Sequence, residues 1–326
     1  MSKKFLYYAA GLALFSVAVM IAAVMFTDFK YPAQSQGTLV FAKTYQNGAE
    51  LDRIVVRSAA ETVTLELKDN LWRVKEGGGY YAGTYLLNTL LKDLNTSVFY
   101  SRRENTPQAV REFNLEEPQT GGKNSGVRLS VYAGGKLQDT LVLGKPTENG
   151  LYRFARLDNG EIWLISGRFE LPAQAYSWLL QPILELPSAL IETIRFYQND
   201  VQTTVGRKDS SRDFSDSEGR MVKALAQTGL LERLTVENAL DEASFARLKA
   251  ALTRRMEIIT FQGLAFYLDF YVDAQQKNWL RITLSTTPLP MTIVNDYIKD
   301  NRFLYDGWYF ELPPETAKIL SPSSLI

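Results

Sequence analysis

The sequence predicts an α+β protein: one N-terminal transmembrane helix, then two tandem repeats of mainly antiparallel sheet with packed helices. Three observations carry this. A charge-free apolar run opens the chain. Alternating apolar and polar segments, bounded by turn residues, fill most of the remaining sequence. Four short segments recur in the same order at nearly one spacing.

The opening run, Phe5 to Phe26, holds 22 residues without a charge. At about 1.5 Å of rise per residue, a helix of that length spans the roughly 30 Å hydrocarbon core of a bilayer. Tyr7 and Tyr8 stand near one end, where amphipathic rings favour the membrane–water boundary. Lys3 and Lys4 precede the run, while Asp28 and Lys30 cancel beyond it, so the positive-inside rule puts the N-terminus in the cytoplasm. A cleaved signal peptide would have an apolar core of about 7–15 residues and a small-residue cleavage site. Val24-Met25-Phe26 offers no such site. The expected location is therefore the bacterial cytoplasmic (inner) membrane, single-pass, with a periplasmic or otherwise extracytoplasmic body. Gly11 and Ser16, with Ala9 and Ala13, are small enough to admit a second helix, which makes Gly11 and Ser16 expected partner contacts.

Residues 1–26 thus form the cytoplasmic N-terminus and anchor. Residues 27–50, with Pro32, Gly37 and Gly48, read as a stalk that carries a short strand at Thr38–Ala42. The body begins at residue 51. Leu51-Asp-Arg-Ile54-Val-Val56 lines up with Ile191-Glu-Thr-Ile194-Arg-Phe196, and Leu90-Leu-Lys-Asp-Leu94 with Leu230-Leu-Glu-Arg-Leu234, both at an offset of 140. Leu141-Val-Leu143 lines up with Ile282-Thr-Leu284, and Phe169-Glu-Leu-Pro172 with Phe310-Glu-Leu-Pro313, both at 141. Matches kept in order at one offset indicate a tandem duplication, residues 51–190 and 191–326.

In the first repeat, Val63, Leu65 and Leu67 share one strand face while Thr62, Thr64 and Glu66 share the other. Strands are expected at Arg53–Arg57, Thr62–Leu67, Leu71–Lys75, Gly126–Ala133, Leu137–Leu143, Tyr152–Leu157 and Glu161–Ile165. The turns Ala133-Gly134-Gly135 and Asp158-Asn159-Gly160 join hairpins. Leu86, Leu87, Leu90, Leu91 and Leu94 recur at helical spacing and predict an amphipathic helix near Thr84–Asn95. A short helix should start at Pro172. The second repeat is expected to hold helices near Met221–Leu234 and Ala243–Thr253, strands near Phe266–Asp273 and Trp279–Leu284, and one hairpin fewer. Hairpins outnumber crossovers, hence the α+β class.

Composition excludes several function classes. Basic and acidic residues balance at 36 each and no dense Lys/Arg run occurs, so nucleic acid is not an expected partner. The chain has neither cysteine nor histidine. That removes thiol and Ser-His-Asp catalysis and ordinary zinc sites, and no cofactor is expected. Gly121-Gly-Lys-Asn-Ser125 lacks the earlier glycine and the Ser/Thr after lysine that a phosphate loop needs. Asp209–Gly219 lacks the glycine and glutamate of a calcium loop. Asp269 and Asp273, four apart on one strand face, would stand roughly 13 Å apart, too far for either glycosidase mechanism. Among the many aromatics, Tyr80 and Tyr81 come just after the glycine run Gly77–Gly79 and are the better expected partner contact.

Phe113-Asn-Leu-Glu-Glu-Pro118, Leu143-Gly-Lys-Pro-Thr147, Gly150-Leu-Tyr-Arg-Phe-Ala-Arg156, Ile162-Trp-Leu-Ile165 and Asn70-Leu-Trp72 together resemble domain-of-unknown-function family 4340. The resemblance spans about residues 53–190 and is looser in the second repeat. Asn114 stands where the family pattern has glycine, and asparagine also tolerates positive φ. The resemblance implies a membrane-anchored extracytoplasmic protein associated with gliding-motility-type ABC transporter components, such as a permease or its associated subunit. The expected function is a non-enzymatic accessory or scaffold subunit of an ABC-type export or motility-related assembly. The alternatives are a module that binds a glycan or peptide between the repeats and a carboxylate-dependent hydrolase.

Overall fold

The structure, a computed structural model, describes residues 36–46, 50–119, 122–222 and 225–321. The run Phe5–Phe26, and with it Gly11 and Ser16, lies outside the described residues. Among those described, no helix is long and apolar enough to cross a membrane.

Two antiparallel sheets of nine strands dominate the body, with few helices. The first comprises β1 (Leu51–Arg57), β2 (Thr62–Lys68), β3 (Leu71–Val74), β4 (Tyr80–Tyr81), β5 (Phe99–Arg103), β6 (Val127–Ala133), β7 (Lys136–Pro146), β8 (Tyr152–Leu157) and β9 (Ile162–Ser166). The second comprises β10 (Ile191–Gln198), β11 (Val201–Gly206), β12 (Phe214–Asp216), β13 (Met221–Val222), β14 (Asn238–Asp241), β15 (Ala251–Thr260), β16 (Leu264–Val272), β17 (Asn278–Thr286) and β18 (Trp308–Leu312). The first sheet runs β4-β3-β2-β1-β6-β7-β8-β9-β5 and the second β13-β12-β11-β10-β15-β16-β17-β18-β14. Adding nine to each strand number of the first order yields the second, so the repeats share one topology.

Among the described residues the α-helices are α1 (Ala42–Gln46), α2 (Thr84–Thr96), α3 (Pro107–Glu112), α4 (Leu225–Leu231), α5 (Glu242–Ala246), α6 (Thr292–Asn301) and α7 (Pro314–Ile319). By packing, the chain forms two compact units: Met1–Glu50 with Thr89–Glu170, and Leu51–Asn88 with Leu171–Ile326. The second unit therefore holds the meander β1–β4 of the first repeat as well as the whole second sheet.

Local chemistry accounts for most element ends. Thr106 caps α3, its hydroxyl accepting from Ala109 N at 3.1 Å, and Pro107 fills the first helical position, where no N–H is needed. Asp241 caps α5 through Ser244 N at 2.7 Å. Two-residue hairpin loops have both central residues at positive φ: Asp69–Asn70, Gly134–Gly135 and Asn199–Asp200. Those residue types tolerate the left-handed region best. In α2, Leu87, Leu90 and Leu94 are buried, and full burial of such a side chain is worth about 1.5–3 kcal/mol.

The first repeat keeps closely to its sequence pattern, and the second departs from it. Met221–Val222 is a strand, and among the described residues of the expected helix Leu225–Leu231 is helical. Leu234 instead bridges to Leu184. The next helix stops at Ala246, Lys249 takes φ 51°, and Ala251–Thr260 joins the ladder between β10 and β16. Tertiary pairing overrides helical propensity there. No hairpin is missing, because β17 and β18 are joined through α6 where β8 and β9 meet in a tight turn. Leu141–Leu143 lies in β7 and Ile282–Leu284 in β17, which are not counterparts by strand order. Phe310 lies within β18, whereas Phe169 comes after β9 at φ 47°. Thr38–Ala42 forms a single bridge, Leu39 to Val98, before α1 begins.

The offset of 140 equates Leu90 with Leu230, yet Leu230 is half-buried and its neighbour Leu231 is fully buried as Leu90 is. Leu231→Ala should cost about 2–5 kcal/mol in urea unfolding, and Leu230→Ala clearly less. Equal losses would show that the helix phase is wrong.

Candidate functional site

Strand alternation builds the site. In β10, Ile191, Ile194 and Phe196 are buried, while Arg195 and Tyr197 leave the opposite face. In β15, Met256 and Ile258 are buried, and Arg255 and Glu257 leave the same outer face as Arg195. The register pairs Arg195 with Glu257, Glu257 with Tyr267, and Arg255 with Asp269.

Glu257 is only 7% exposed, so its charge needs partners. Arg195 Nη1 donates to Glu257 Oε2 at 2.9 Å, and Tyr197 Oη donates to the same oxygen at 3.2 Å. Beside them, Arg255 grips Asp269 in a two-pronged pair, Nε to Oδ1 at 2.5 Å and Nη2 to Oδ2 at 3.0 Å. The hydrogen bond to Glu257 raises the Arg195 guanidinium above its ordinary range. Burial, then the Glu257 charge, raises the Tyr197 and Tyr267 phenols, so both stay protonated donors at neutral pH.

Arg195, Tyr197, Arg255, Glu257 and Tyr267 line a cleft of about 660 Å³, within the size range of ligand sites. The tight turn Asn199–Asp200, with Gln198 and Gln202 beside it, forms the rim together with Leu252 and Thr253. Arg254 shares the inward face of Met256 and Ile258 by strand alternation, just after a register shift at Leu252. There it lies 4.3 Å from the Phe270 ring centre, and its Nη2 donates to Ala317 O at 2.6 Å at the end of α7.

The expected carboxylate pair does structural work. Asp269 is held by Arg255. Asp273, just past β16, accepts the Trp279 indole N–H at 2.9 Å and the backbone N–H groups of Gln275 and Lys277, each at 2.9 Å. Burial opposes its ionisation, but those three donors outweigh it and hold the carboxyl below the usual range. Among the described residues, no group of three or more acidic side chains converges as a metal site would require.

Tyr80 is 1% exposed, so its expected contact with an external partner is replaced by an internal one. Within the second unit its ring lies 5.0 Å from Trp308 and 5.2 Å from Phe310, both edge-on, and its hydroxyl donates to Leu304 O at 3.1 Å. Tyr81 is half-buried. Its ring sits 5.4 Å from Phe303, with the Arg73 guanidinium 4.8 Å from its centre.

In the first unit, Phe113-Asn114-Leu115 ends α3. Leu115 N donates to Val110 O at 2.8 Å, Asn114 N to Arg111 O at 3.2 Å, and Asn114 takes φ 55°. That is a Schellman end with asparagine in the left-handed position. Lys145 N bonds Phe113 O at 3.0 Å, and Arg156 Nε bonds Leu115 O at 2.8 Å. A Cβ on Gly144 would stand 2.1 Å from Phe113 O, so only glycine fits there. Phe113 stacks on Phe154 at 3.9 Å, and Glu117 binds both Arg128 and Arg156. The segments Phe113–Pro118, Leu143–Thr147 and Gly150–Arg156 thus meet in one joint.

The model of a domain of unknown function, DUF4340, matches residues 72–258, more than half of the chain. The chain belongs to the DUF4340 family. The match starts later than the resemblance suggested and runs on through β10 and most of β15 in the second repeat. No curated protein and no solved structure matches the chain. The joint explains why the family pattern marks a fold: its residues close a helix end onto a strand. Arg195, Tyr197, Glu257 and Tyr267 escaped the sequence reading. Their only signal was Arg-x-Tyr and Arg-x-Glu at strand spacing, whose pairing needs the register.

These contacts set the expected size of two losses in stability. Tyr80→Ala should cost about 3–5 kcal/mol in denaturant unfolding, by analogy with other large aromatic truncations, and Tyr80→Phe about 1 kcal/mol for one hydrogen bond. Near-neutral Tyr80→Ala would place the ring outside the core. Asp273 has a lowered carboxyl pKa, so it stabilises the fold above the ordinary carboxylate range and loses that contribution as pH falls through its folded value. Asp273→Ala should therefore lower stability by about 1–3 kcal/mol at neutral pH. Its deficit relative to wild type should shrink in acid, and a gap that widens in acid would reverse the assignment.

Proposed function

We propose that this chain is a non-enzymatic, membrane-anchored accessory subunit of a membrane complex of the ABC-type export or motility-related class, with its body outside the cytoplasm. The uncharged run Phe5–Phe26 with Lys3 and Lys4 before it supports the anchor and its direction. The absence of histidine and cysteine from the sequence supports a role other than catalysis. The observation that carries the partner is an apolar segment on the second repeat. Leu289 is 93% exposed, Ile293 68% and Met291 56%. They lie where the chain leaves β17 and enters α6, next to a hollow of about 160 Å³ lined by Leu190, Phe266, Val294 and Tyr297. Clustered exposed apolar side chains on a folded body are typical of protein–protein contact. A second reading, a ligand-binding module, is favoured by the cleft over Glu257.

A reporter fused after Ile326 should be active only outside the cytoplasm, and gentle solubilisation should recover the full-length chain with a stoichiometric membrane protein. Leu289→Asp with Ile293→Asp should reduce that recovery while leaving the melting temperature within a few degrees. Cytoplasmic reporter activity would end the topology, and solitary purification in several mild detergents would end the subunit reading.

A further inference from the structure

We propose that the cleft over Arg195, Tyr197, Glu257 and Tyr267 binds a neutral oligosaccharide; this rests on the second, ligand-binding reading. Three features select the ligand's chemistry. The first is charge balance. Of the lining arginines, Arg195 is paired with Glu257, Arg255 with the neighbouring Asp269, and Arg254 sends its guanidinium onto Phe270 and the carbonyl of Ala317, while Asp200 stands on the rim. A charged ligand would have to break a pair or bring an uncompensated charge into a half-buried site. A neutral ligand meets no such cost.

The second is hydrogen-bonding capacity. The pairs leave part of the valence of their groups unused: a guanidinium carries five N–H donors and a carboxylate about four acceptor sites. Arg195 and Tyr197 both use Glu257 Oε2. The rim adds three side-chain amides, Gln198, Asn199 and Gln202. Such a wall of planar donors and acceptors suits a ligand bearing many hydroxyls. Two tyrosine rings flank the carboxylate, Tyr197 from β10 and Tyr267 from β16, and supply flat apolar surface for the C–H face of a sugar ring.

The third feature argues against a peptide. Strand-like peptides bind through main-chain hydrogen bonds at a sheet edge. Most of this cleft lies over β10 and β15, interior strands that pair on both sides, and only Val201 and Gln202 come from the part of β11 beyond its pairing with β12. An apolar ligand is disfavoured by the ionic floor.

Calorimetric titration of the full-length chain in lipid nanodiscs with maltohexaose, cellohexaose and chitohexaose tests the assignment. At least one should bind saturably and more tightly than a sulfated hexasaccharide. Tyr267→Ala and Gln202→Ala should each weaken it about tenfold, the size expected for losing one good contact. Gln202 is an exposed rim residue, so its variant should melt with wild type and keep the test valid if Tyr267→Ala fails to fold. No heat with any of the three sugars, or binding unchanged by Gln202→Ala, overturns the proposal. Tighter binding of the sulfated sugar overturns it too. A Ser/Gln-rich peptide that binds in the same cleft and is lost with Gln202→Ala would sink the saccharide while sparing the ligand-binding reading. Failure of every ligand would sink both, and neither result bears on recovery of a membrane partner.

Discussion

Successive side chains leave a strand on opposite sides, and β10 commits mainly one of its sides to the core. In the second sheet that side carries Ile194, Phe196, Met256, Ile258, Leu268 and Phe270. The register that puts them inward is the same register that sets Arg195 against Glu257 and Arg255 against Asp269 outward. A slip of one residue would bury the charges and expose the apolar set. The energies are unequal. Each buried apolar side chain contributes about 1.5–3 kcal/mol, while an exposed ion pair adds about 0–1 kcal/mol. The core therefore chooses the register, and the outer ladder of charges is a consequence that function can use. Both carboxylates, Glu257 and Asp269, are buried, so removing Arg195 or Arg255 would leave a buried charge without its ion pair.

The family pattern acts at a different level. Phe113 to Pro118 closes α3 with a left-handed residue, and the strand residues Gly144, Lys145 and Arg156 clasp the carbonyls that this closure exposes. The geometry demands glycine at 144 because a carbonyl occupies the space of a side chain. At 114 it demands only a residue that tolerates positive φ, and asparagine meets that demand. A pattern of this kind describes how a helix is tied to a sheet.

The two repeats keep one strand order and differ in what joins the strands. Between β8 and β9 the chain turns within a few residues; between β17 and β18 it carries the apolar segment at Leu289–Ile293 and the helix α6. The cleft over Glu257 likewise borders a connection, the Asn199–Asp200 turn. Common frames with divergent connections are how a duplicated domain acquires a second role without losing its core. Both surfaces considered for function lie on the second repeat, whereas the family joint lies on the first.

Strand positions in the first repeat, the Thr84–Thr96 helix and the turns at Gly134–Gly135 and Asn159–Gly160 arise from the sequence by itself, because period, turn chemistry and local sterics act over a few residues. Tertiary structure alone decided three other things. It set the phase of the helix at Leu231, ended the expected Ala243–Thr253 helix at Ala246 so that residues 251–253 join the strand between β10 and β16, and placed Tyr80 against Trp308 and Phe310. It also assembled the cleft, because Arg195 and Glu257 are 62 positions apart and meet only through the ladder. Each of these depends on a partner distant in the chain, and a sequence pattern read through a local window contains no term for such a partner.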